Sequence, residues 1–296
     1  MPSEAAGASI LGVERLPSKR KRESLPMSTT LTWRSMGAGE PLLLLHGLGT
    51  TSEDFAVLGP RLARDYRVLT VDLPGHGRSP SLGGIPSVQA VADALEADLD
   101  ELGLSEVHLL GSSLGGRLAL ELAGRNRASS VVAIAPSGMG MPQERTYQAL
   151  LMSGARLALR ALHPLIEPLS ASRPGRAVLL GGLRARPSRA SPSEARAVQA
   201  GFAESAGFWR MLWWSVVADV PTGLERIDCP VILTQGTRDL LAGGQTPRFL
   251  LVVPGSRFQP LFRAGHAPLS DTPDELVRLV HEATRRSRTY RAIKEA

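Results

Sequence analysis

The chain has 296 residues, of which 43% are hydrophobic and 21% charged, so it can bury a substantial core and is not disordered throughout. No apolar run approaches the roughly 18 residues that a membrane-spanning helix needs. The net charge of +6 comes mostly from arginine, and the single cysteine, Cys229, excludes an intramolecular disulfide or a multi-cysteine metal site. We therefore expect a cytoplasmic protein.

The basic residues are concentrated in one internal segment and at the two ends of the chain. Residues 141–222 carry 10 basic and 5 acidic side chains, and residues 283–296 carry 5 and 1. A nucleic-acid-binding protein more often concentrates its cations on a folded face, with aromatic residues between them. We therefore interpret the excess as solvated arginine and expect no nucleic-acid partner. Residues 1–27 lack sustained periodicity and predict a disordered tail, with a short edge strand over Ile10–Leu16 as the alternative.

From residue 30 onwards, strand and helix patterns alternate. Apolar runs that end at glycine or polar residues predict strands, and apolar positions at helical spacing predict helices. Ser87 is the predicted N-cap of a clear helix that ends at Gly103. The predicted strands are Leu31–Ser35, Pro41–Leu45, Arg67–Asp72, Val107–Leu110, Ser130–Ala135, Val231–Thr234 and Ser256–Phe262. The other predicted helices are Ser52–Leu62, Arg117–Ala123 and Asp274–Thr284.

This alternation predicts an α/β protein with a mainly parallel sheet and helices on both of its faces. Residues 139–222 interrupt the pattern with short helical segments, and we interpret them as a helical cap inserted over the sheet. The predicted division is a core over 28–138 and 223–284, a cap over 139–222, and a basic C-terminal tail over 285–296.

The segment Gly111-Ser112-Ser113-Leu114-Gly115 matches the pattern G-x-S-x-G, directly after a predicted strand and before a helix. In this context the serine occupies a strained turn, which presents its hydroxyl above the edge of the sheet near a helix N-terminus. The register makes Ser113, and not Ser112, the candidate nucleophile.

A serine nucleophile needs a base, and the base needs a carboxylate that fixes its tautomer. His266 follows the last predicted strand, where its side chain can reach the carboxyl edge of the sheet. His108 lies within a strand and His281 within a helix, so both are interpreted as packing or surface residues. Asp239 in GTRDLL follows the strand at 231–234 and is the predicted acid, which gives the order Ser113, Asp239, His266.

With these residues identified, the sequence resembles the α/β-hydrolase fold family. The matching motifs are HGLG at 46–49, DLPGHGRS at 72–79, GSSLGG at 111–116, GTRD at 236–239 and GH at 265–266. They span residues 42 to about 284. The resemblance implies that the backbone N–H groups of Leu48 and Leu114 form an oxyanion hole, whereas Asp72 and His76 mainly serve architecture.

The same resemblance implies a hydrolase that acts on a small molecule without a cofactor or a metal ion. Serine at position 113 argues against the branches that use aspartate there, such as haloalkane dehalogenases and epoxide hydrolases. Hydroxynitrile lyases and perhydrolases keep the serine and stay open. The first choice is hydrolysis of a small or medium carboxylic ester through an acyl-enzyme intermediate. The alternatives are a C–C bond hydrolase of aromatic-compound degradation and a non-catalytic ligand-binding member of the fold.

The cap is expected to select the substrate. Its bulky apolar residues include Phe208, Trp209 and Trp213, which are the candidates for substrate binding, although packing of the cap onto the sheet explains each of them equally simply. The arginine content of the cap could favour an anionic substrate. The oligomeric state and the acyl acceptor are left open by the sequence.

Overall fold

The computed structural model describes residues 23–24, 29–84 and 87–295. Within these residues the strands are β1 (Glu23–Ser24), β2 (Thr32–Met36), β3 (Pro41–Leu45), β4 (Arg67–Asp72), β5 (Val107–Ser112), β6 (Ala128–Ile134), β7 (Val231–Gly236) and β8 (Arg257–Leu261). The α-helices are α1 (Gly59–Leu62), α2 (Val88–Glu101), α3 (Leu114–Gly124), α4 (Pro142–Ala161), α5 (His163–Ala171), α6 (Arg173–Leu180), α7 (Pro192–Glu204), α8 (Phe208–Leu212), α9 (Gln245–Arg248) and α10 (Pro273–Glu295).

The described strands form one sheet in the order β1-β2-β4-β3-β5-β6-β7-β8. In this order every neighbouring pair from β4 to β8 is parallel, and the pairs β1–β2 and β2–β4 are antiparallel. Both faces of the sheet are covered, and β3 to β7 are accordingly buried over nearly their whole length, with the LLLL run of β3 as the most apolar case. The predicted α/β architecture with a mainly parallel sheet is confirmed.

The predicted helix over Ser52–Leu62 forms as two separate pieces. A 3-10 turn covers Ser52–Phe55, and α1 begins only at Gly59. Pro60 occupies the first turn of α1, where its missing N–H is tolerated, but in the middle of a continuous helix it would remove a backbone hydrogen bond. The proline therefore restarts the helix.

The closing helix is longer than the sequence pattern predicts. It does not end at Thr284 but continues as α10 to Glu295, so the expected basic tail is helical over residues 285–295. Thr284 and Ser287 are buried and extend the inner face of the helix, and the hydroxyl of Tyr66 donates a hydrogen bond to Thr284 Oγ1 at 3.2 Å. Because these two buried positions carry polar side chains, the spacing of apolar residues alone does not predict that the helix continues beyond Thr284.

The insertion predicted over residues 139–222 contains α4 to α8 and a π-helical turn over Trp213–Ala218. We call this segment the cap. It leaves the sheet after β6 and returns before β7, and near its C-terminal end Asp219 accepts a 2.8 Å hydrogen bond from the buried Arg117 of α3. Among the described residues, no helix is long and apolar enough to cross a membrane.

Two glycines provide a matched test of the packing. A Cβ on Gly115 in α3 would lie 2.0 Å from the backbone oxygen of Leu45 in β3, whereas a Cβ on Gly154 in α4 would meet no atom within 4 Å. We expect Gly115→Ala to destabilise the protein by about 3 kcal/mol or more, because backbone atoms must move apart. Gly154→Ala should stabilise it by about 0.5–1 kcal/mol, because alanine favours the helix. Chemical unfolding of both variants measures the difference, and equal stabilities would contradict the close approach.

Candidate active site

Ser113 lies in a sharp turn between β5 and α3. Its φ of 56° and ψ of −113° lie outside the regions that residues with a side chain ordinarily adopt, at a typical cost of about 1–3 kcal/mol. The backbone around it is fixed, because its N–H donates to Ile134 O at 2.8 Å and its carbonyl accepts from Ser137 N at 3.3 Å. Ser113 is partly exposed, whereas Ser112 is buried.

The glycines of the G-x-S-x-G segment make this turn sterically accessible. A Cβ on Gly111 would lie 2.1 Å from Gly115 O, and one on Gly115 would lie 2.0 Å from Leu45 O. Both contacts are with backbone atoms that cannot move away easily. Helix α3 can therefore pack directly against β3 and β5, and its N-terminus begins at the residue after Ser113.

The predicted acid and base are in direct contact at the same carboxyl edge of the sheet. His266 follows β8 and Asp239 follows β7, and His266 Nδ1 lies 2.9 Å from Asp239 Oδ2. The other carboxylate oxygen of Asp239 accepts the backbone N–H groups of Leu241 and Ala242 at 2.8 and 2.9 Å. An ionised Asp239 only accepts hydrogen bonds, so the imidazole proton lies on Nδ1 and the lone pair lies on Nε2.

Asp239 and His266 each favour the charged form of the other. Burial alone would lower the pKa of His266, but the negative charge and the hydrogen bond of Asp239 outweigh it and hold that pKa above 6.5. Burial would raise the pKa of Asp239, but His266 and the two backbone N–H groups keep it below its ordinary value. Asp239 therefore stays ionised beside a histidine of increased basicity.

Among the described residues, no hydrogen bond joins the Ser113 hydroxyl to His266. The two side chains stand at the same edge of the sheet, at the ends of β5 and β8 respectively. Catalytic hydrogen bonds are often long without substrate and shorten in the complex.

The loop that carries Leu48 passes directly beside Ser113. A Cβ on Gly47 would lie 3.5 Å from Ser113 Cβ, which places the following Leu48 next to the nucleophile turn. Its backbone N–H has no partner within the described part of the protein. Leu114 is the first residue of α3, where backbone N–H groups have no intrahelical acceptor. Both groups named in the sequence analysis are thus available as donors.

Two neutral histidines hold this loop in place. His46 Nε2 accepts from Leu73 N at 2.9 Å, and His76 Nε2 accepts from Gly49 N at 3.1 Å. Burial lowers the pKa of both, and with the neighbouring His76 it brings the pKa of His46 to about 3. A protonated ring could not accept these bonds, so burial of the rings keeps the loop intact at neutral pH. His76 thus holds the architectural position expected for it.

Asp271 fastens the His266 loop to the cap, and the sequence analysis did not select it. Its Oδ2 accepts from Gly265 N at 3.0 Å and from Ala185 N in the cap at 2.8 Å, while Oδ1 accepts from Arg186 N at 3.2 Å. One carboxylate therefore holds the residue before His266 and a cap turn together. The segment AGHAPLSDTP shows that an acidic residue follows His266 closely. The sequence does not show its partners in the cap, because Arg186 lies 85 residues away from Asp271.

The same cap turn is fixed from its other side by Arg184. Its guanidinium is buried and donates both to Glu194 in α7 and to the hydroxyl of Ser270 in the His266 loop. Ala267 N also donates to Leu183 O at 2.8 Å. Displacing the cap turn would break each of these bonds, so the position of His266 depends on the cap.

The Asp239 loop has a similar anchor. Gln148 in α4 is buried and donates to Leu241 O at 2.8 Å. Gln245, after the same loop, accepts from Gly138 N at 3.0 Å where the chain enters the cap. Both loops that carry the acid and the base are therefore in contact with the cap.

The candidate substrate-binding aromatics occupy different environments. Phe208 is fully buried between Phe202 and Trp209, with the Arg156 guanidinium 4.5 Å from its ring centroid. Trp209 and Trp213 are 43% and 58% exposed. Phe202 itself contacts the oxyanion loop, since a Cβ on Gly49 would lie 2.5 Å from its ring. Phe202 is the aromatic residue that connects the cap with the site.

No group of three or more His, Cys, Asp or Glu within the described residues could hold a metal ion. The arrangement brings a strained serine, a histidine bonded to a carboxylate and backbone N–H groups to one edge of the sheet, and nucleophilic acyl transfer requires groups of these kinds.

Comparisons with known proteins place this geometry in a family. Pimeloyl-(acyl-carrier protein) methyl ester esterase of Chromobacterium violaceum is 28% identical over 251 residues, which cover 84% of this chain and 95% of that protein. A 2-hydroxy-6-oxo-6-phenylhexa-2,4-dienoate hydrolase of Burkholderia cepacia is 30% identical over 145 residues, 45% of this chain and 48% of that one. The enol-lactonase of Burkholderia xenovorans has a similar fold, with a TM-score of 0.69 and 21% identity over 85% of this chain and 95% of that chain.

Some relatives match over a part only. The chain covers 36% and 37% of the length of two dihydrolipoyllysine-residue acetyltransferase components of acetoin cleaving systems, at 34% identity. The model of the alpha/beta hydrolase family matches residues 42–279, which include every residue of the site described above. The chain is a member of the alpha/beta hydrolase family.

Proposed function

We propose that the protein is a serine hydrolase that cleaves a small or medium carboxylic ester through an acyl-enzyme intermediate. The observation that carries the proposal is the buried hydrogen bond between Asp239 and His266 at the sheet edge that also carries the strained Ser113. The ester substrate is favoured because a relative of which this chain covers 95% is a methyl ester esterase.

In the first half of the reaction, Ser113 Oγ attacks the ester carbonyl carbon while His266 Nε2 takes the hydroxyl proton. The carbonyl oxygen becomes an oxyanion, which the N–H groups of Leu48 and Leu114 stabilise by about 3 kcal/mol each. The intermediate then collapses, and the alcohol leaves with the proton from His266. Asp239 keeps Nδ1 protonated and stabilises the imidazolium.

In the second half, water attacks the acyl-enzyme and gives its proton to His266. The second oxyanion occupies the same two donors, and collapse returns the proton to Ser113 Oγ as the carboxylic acid leaves. The enzyme is regenerated without a redox step. Phe208, Trp209 and Trp213 stay predicted substrate-binding residues of this reaction.

The nucleophile is tested by hydrolysis of p-nitrophenyl esters from acetate to palmitate. Ser113→Ala should lower kcat on the order of a million-fold, because a residue that acts within a triad is not replaced by its partners. Ser112→Ala is the matched control. We expect this variant to retain activity, because the Ser112 side chain is buried and is not the candidate nucleophile. The chain length with the highest kcat/KM reports the size of the acyl site.

Circular dichroism and thermal unfolding confirm that each variant is folded. Near-normal activity of Ser113→Ala would contradict the assignment. The intact protein could instead hydrolyse none of these esters and cleave the C–C bond of a 2-hydroxy-6-oxo-dienoate. C–C bond hydrolysis, the activity named for the Burkholderia cepacia relative, would then replace ester hydrolysis as the proposed function.

The pH profile tests the base. His266 must be neutral to accept the proton, and Asp239 raises its pKa, so kcat/KM should fall as the pH drops through a midpoint above 6.5. In Asp239→Asn the charge is lost and burial lowers the pKa of His266, so the midpoint should move to lower pH. Its kcat should fall on the order of ten-thousand-fold, because the amide no longer fixes the tautomer. An unchanged midpoint would argue against the pairing.

Asp271 provides a test of how the base is positioned. Asp271→Ala removes three hydrogen bonds from the His266 loop and the cap turn, and we expect kcat to fall on the order of a hundredfold because the imidazole is displaced. The acidic midpoint of the pH profile should shift as well, since the contact with Asp239 loosens. Asp274→Ala is the control, because this exposed carboxylate pairs only with Arg61 at the surface. A loss of stability with an unchanged pH profile would show that Asp271 does not act through His266.

A further inference from the structure

Helix α4 in the cap presents its apolar side to solvent. Its buried residues are Gln148, Met152 and Arg156. Leu150 and Leu157 are 70% and 59% exposed. The usual amphipathic surface helix has the opposite arrangement, with the apolar stripe towards the core.

The exposed residues form one continuous stripe. Over α4, the exposed positions on one side of the helix are Tyr147, Leu150, Leu151, Gly154, Leu157, Ala158 and Ala161, and Leu165 in α5 is exposed as well. We call this stripe the outer apolar face; its large side chains are Tyr147, Leu150, Leu151, Leu157, Leu162 and Leu165. Over α4 the residues between them on this side are Gly154, Ala158 and Ala161, which are exposed and uncharged. The part on α4 alone is about 20 Å long at 1.5 Å per residue.

Hydrogen bonds on the buried side prevent α4 from rotating. Gln148 binds Leu241 O beside the candidate acid, and the two terminal nitrogens of Arg156 donate to Phe202 O and Ser205 O at the end of α7. A rotation that buried the leucines would break these bonds and leave a cation without acceptors. The outer apolar face therefore stays exposed, and contiguous apolar patches of this kind mark interaction sites.

Among the described residues of α4 to α6, the charged side chains that form no ion pair are all cationic. Arg160 at the end of α4 and Arg173 at the start of α6 are exposed, and neither forms an ion pair with any described residue. The carboxylates of α4 and α5 are already neutralised, because Glu144 pairs with Arg248 and Glu167 with Arg196. An apolar centre with a cationic rim is complementary to an apolar surface that carries negative charge.

An exposed tryptophan lies beside the same helix. The π-helical turn Trp213–Ala218 packs against α4, and Trp213 is 58% exposed. Tryptophan is enriched at membrane–water interfaces, where its ring and its N–H meet apolar and polar surroundings together.

We propose that the outer apolar face binds the surface of an anionic lipid bilayer. The leucines enter the boundary between headgroups and acyl chains, and Arg160 and Arg173 contact lipid phosphates. A second copy of the chain is a poorer occupant, because a two-fold contact would bring these arginines from both copies into one interface without carboxylates to meet them. Membrane binding does not depend on ester hydrolysis, so this proposal is tested separately from the proposed function.

Flotation of the full chain with vesicles tests this proposal. We expect binding to vesicles of equal parts phosphatidylcholine and phosphatidylglycerol, and much weaker binding to phosphatidylcholine alone. The double variant Leu150→Gln with Leu157→Gln should lower the partition coefficient tenfold or more, on the order expected when two leucines no longer enter the apolar layer. Ile293→Gln is the matched control, because Ile293 is also 70% exposed but lies on α10. It should bind like the unaltered protein.

The charge contribution is measured with Arg160→Gln and Arg173→Gln together. Binding to the anionic vesicles should fall on the order of tenfold, and binding to phosphatidylcholine should not change. Circular dichroism and thermal unfolding of all variants report that they are folded. Absence of vesicle binding by the intact chain, or equal binding by the leucine variant, would overturn the proposal. A dimer in sedimentation velocity that the leucine substitutions dissociate, without vesicle binding, would instead identify a self-association face.

Discussion

The close backbone contact between α3 and the strands β3 and β5 is the constraint on which the site depends. A Cβ on Gly111 or Gly115 would fall about 2 Å from a backbone oxygen, so side chains are excluded at both positions. This contact holds Ser113 at a positive φ, and α3 starts at the next residue, Leu114. The strain at Ser113 persists because strands on both sides of β5 hold the turn. The candidate nucleophile is thus positioned by the fully buried strand β5 and its neighbours.

The acid and the base have a different kind of support. Asp239 and His266 lie in loops beyond β7 and β8, and each loop is bonded to the cap. Asp271 joins Gly265 to the cap turn at residues 185–186, and Gln148 reaches Leu241. The cap therefore has two physical roles: its inner side fixes the loops of the site, and its outer side presents uncharged apolar residues to the surroundings. Helix α4 therefore buries the polar side chains of Gln148 and Arg156 and exposes its leucines.

Electrostatics separates the histidines of the site into two classes. His266 faces an ionised carboxylate, and its pKa is raised in spite of burial. His46 and His76 are buried as well, but burial dominates and lowers their pKa values. They remain neutral and accept hydrogen bonds from the backbone N–H groups of Leu73 and Gly49, which hold the loop that carries Leu48. The sequence shows the same residue type at all three positions, and only the neighbours that folding supplies distinguish a base from an anchor.

The sequence by itself determined the order of strands and helices, the turn at Ser113 and the pairing of Asp239 with His266. These features depend on local patterns, namely apolar runs, glycines at fixed spacing and polar residues directly after strands. It did not reveal the restart of the helix at Pro60, the continuation of α10 to Glu295 or the role of Asp271. Only the tertiary structure decided the last two points, because they depend on partners far along the chain, whereas the restart follows from Pro60 itself. The exposure of Leu150 has the same origin, since hydrogen bonds on the far side of α4 determine which face is buried.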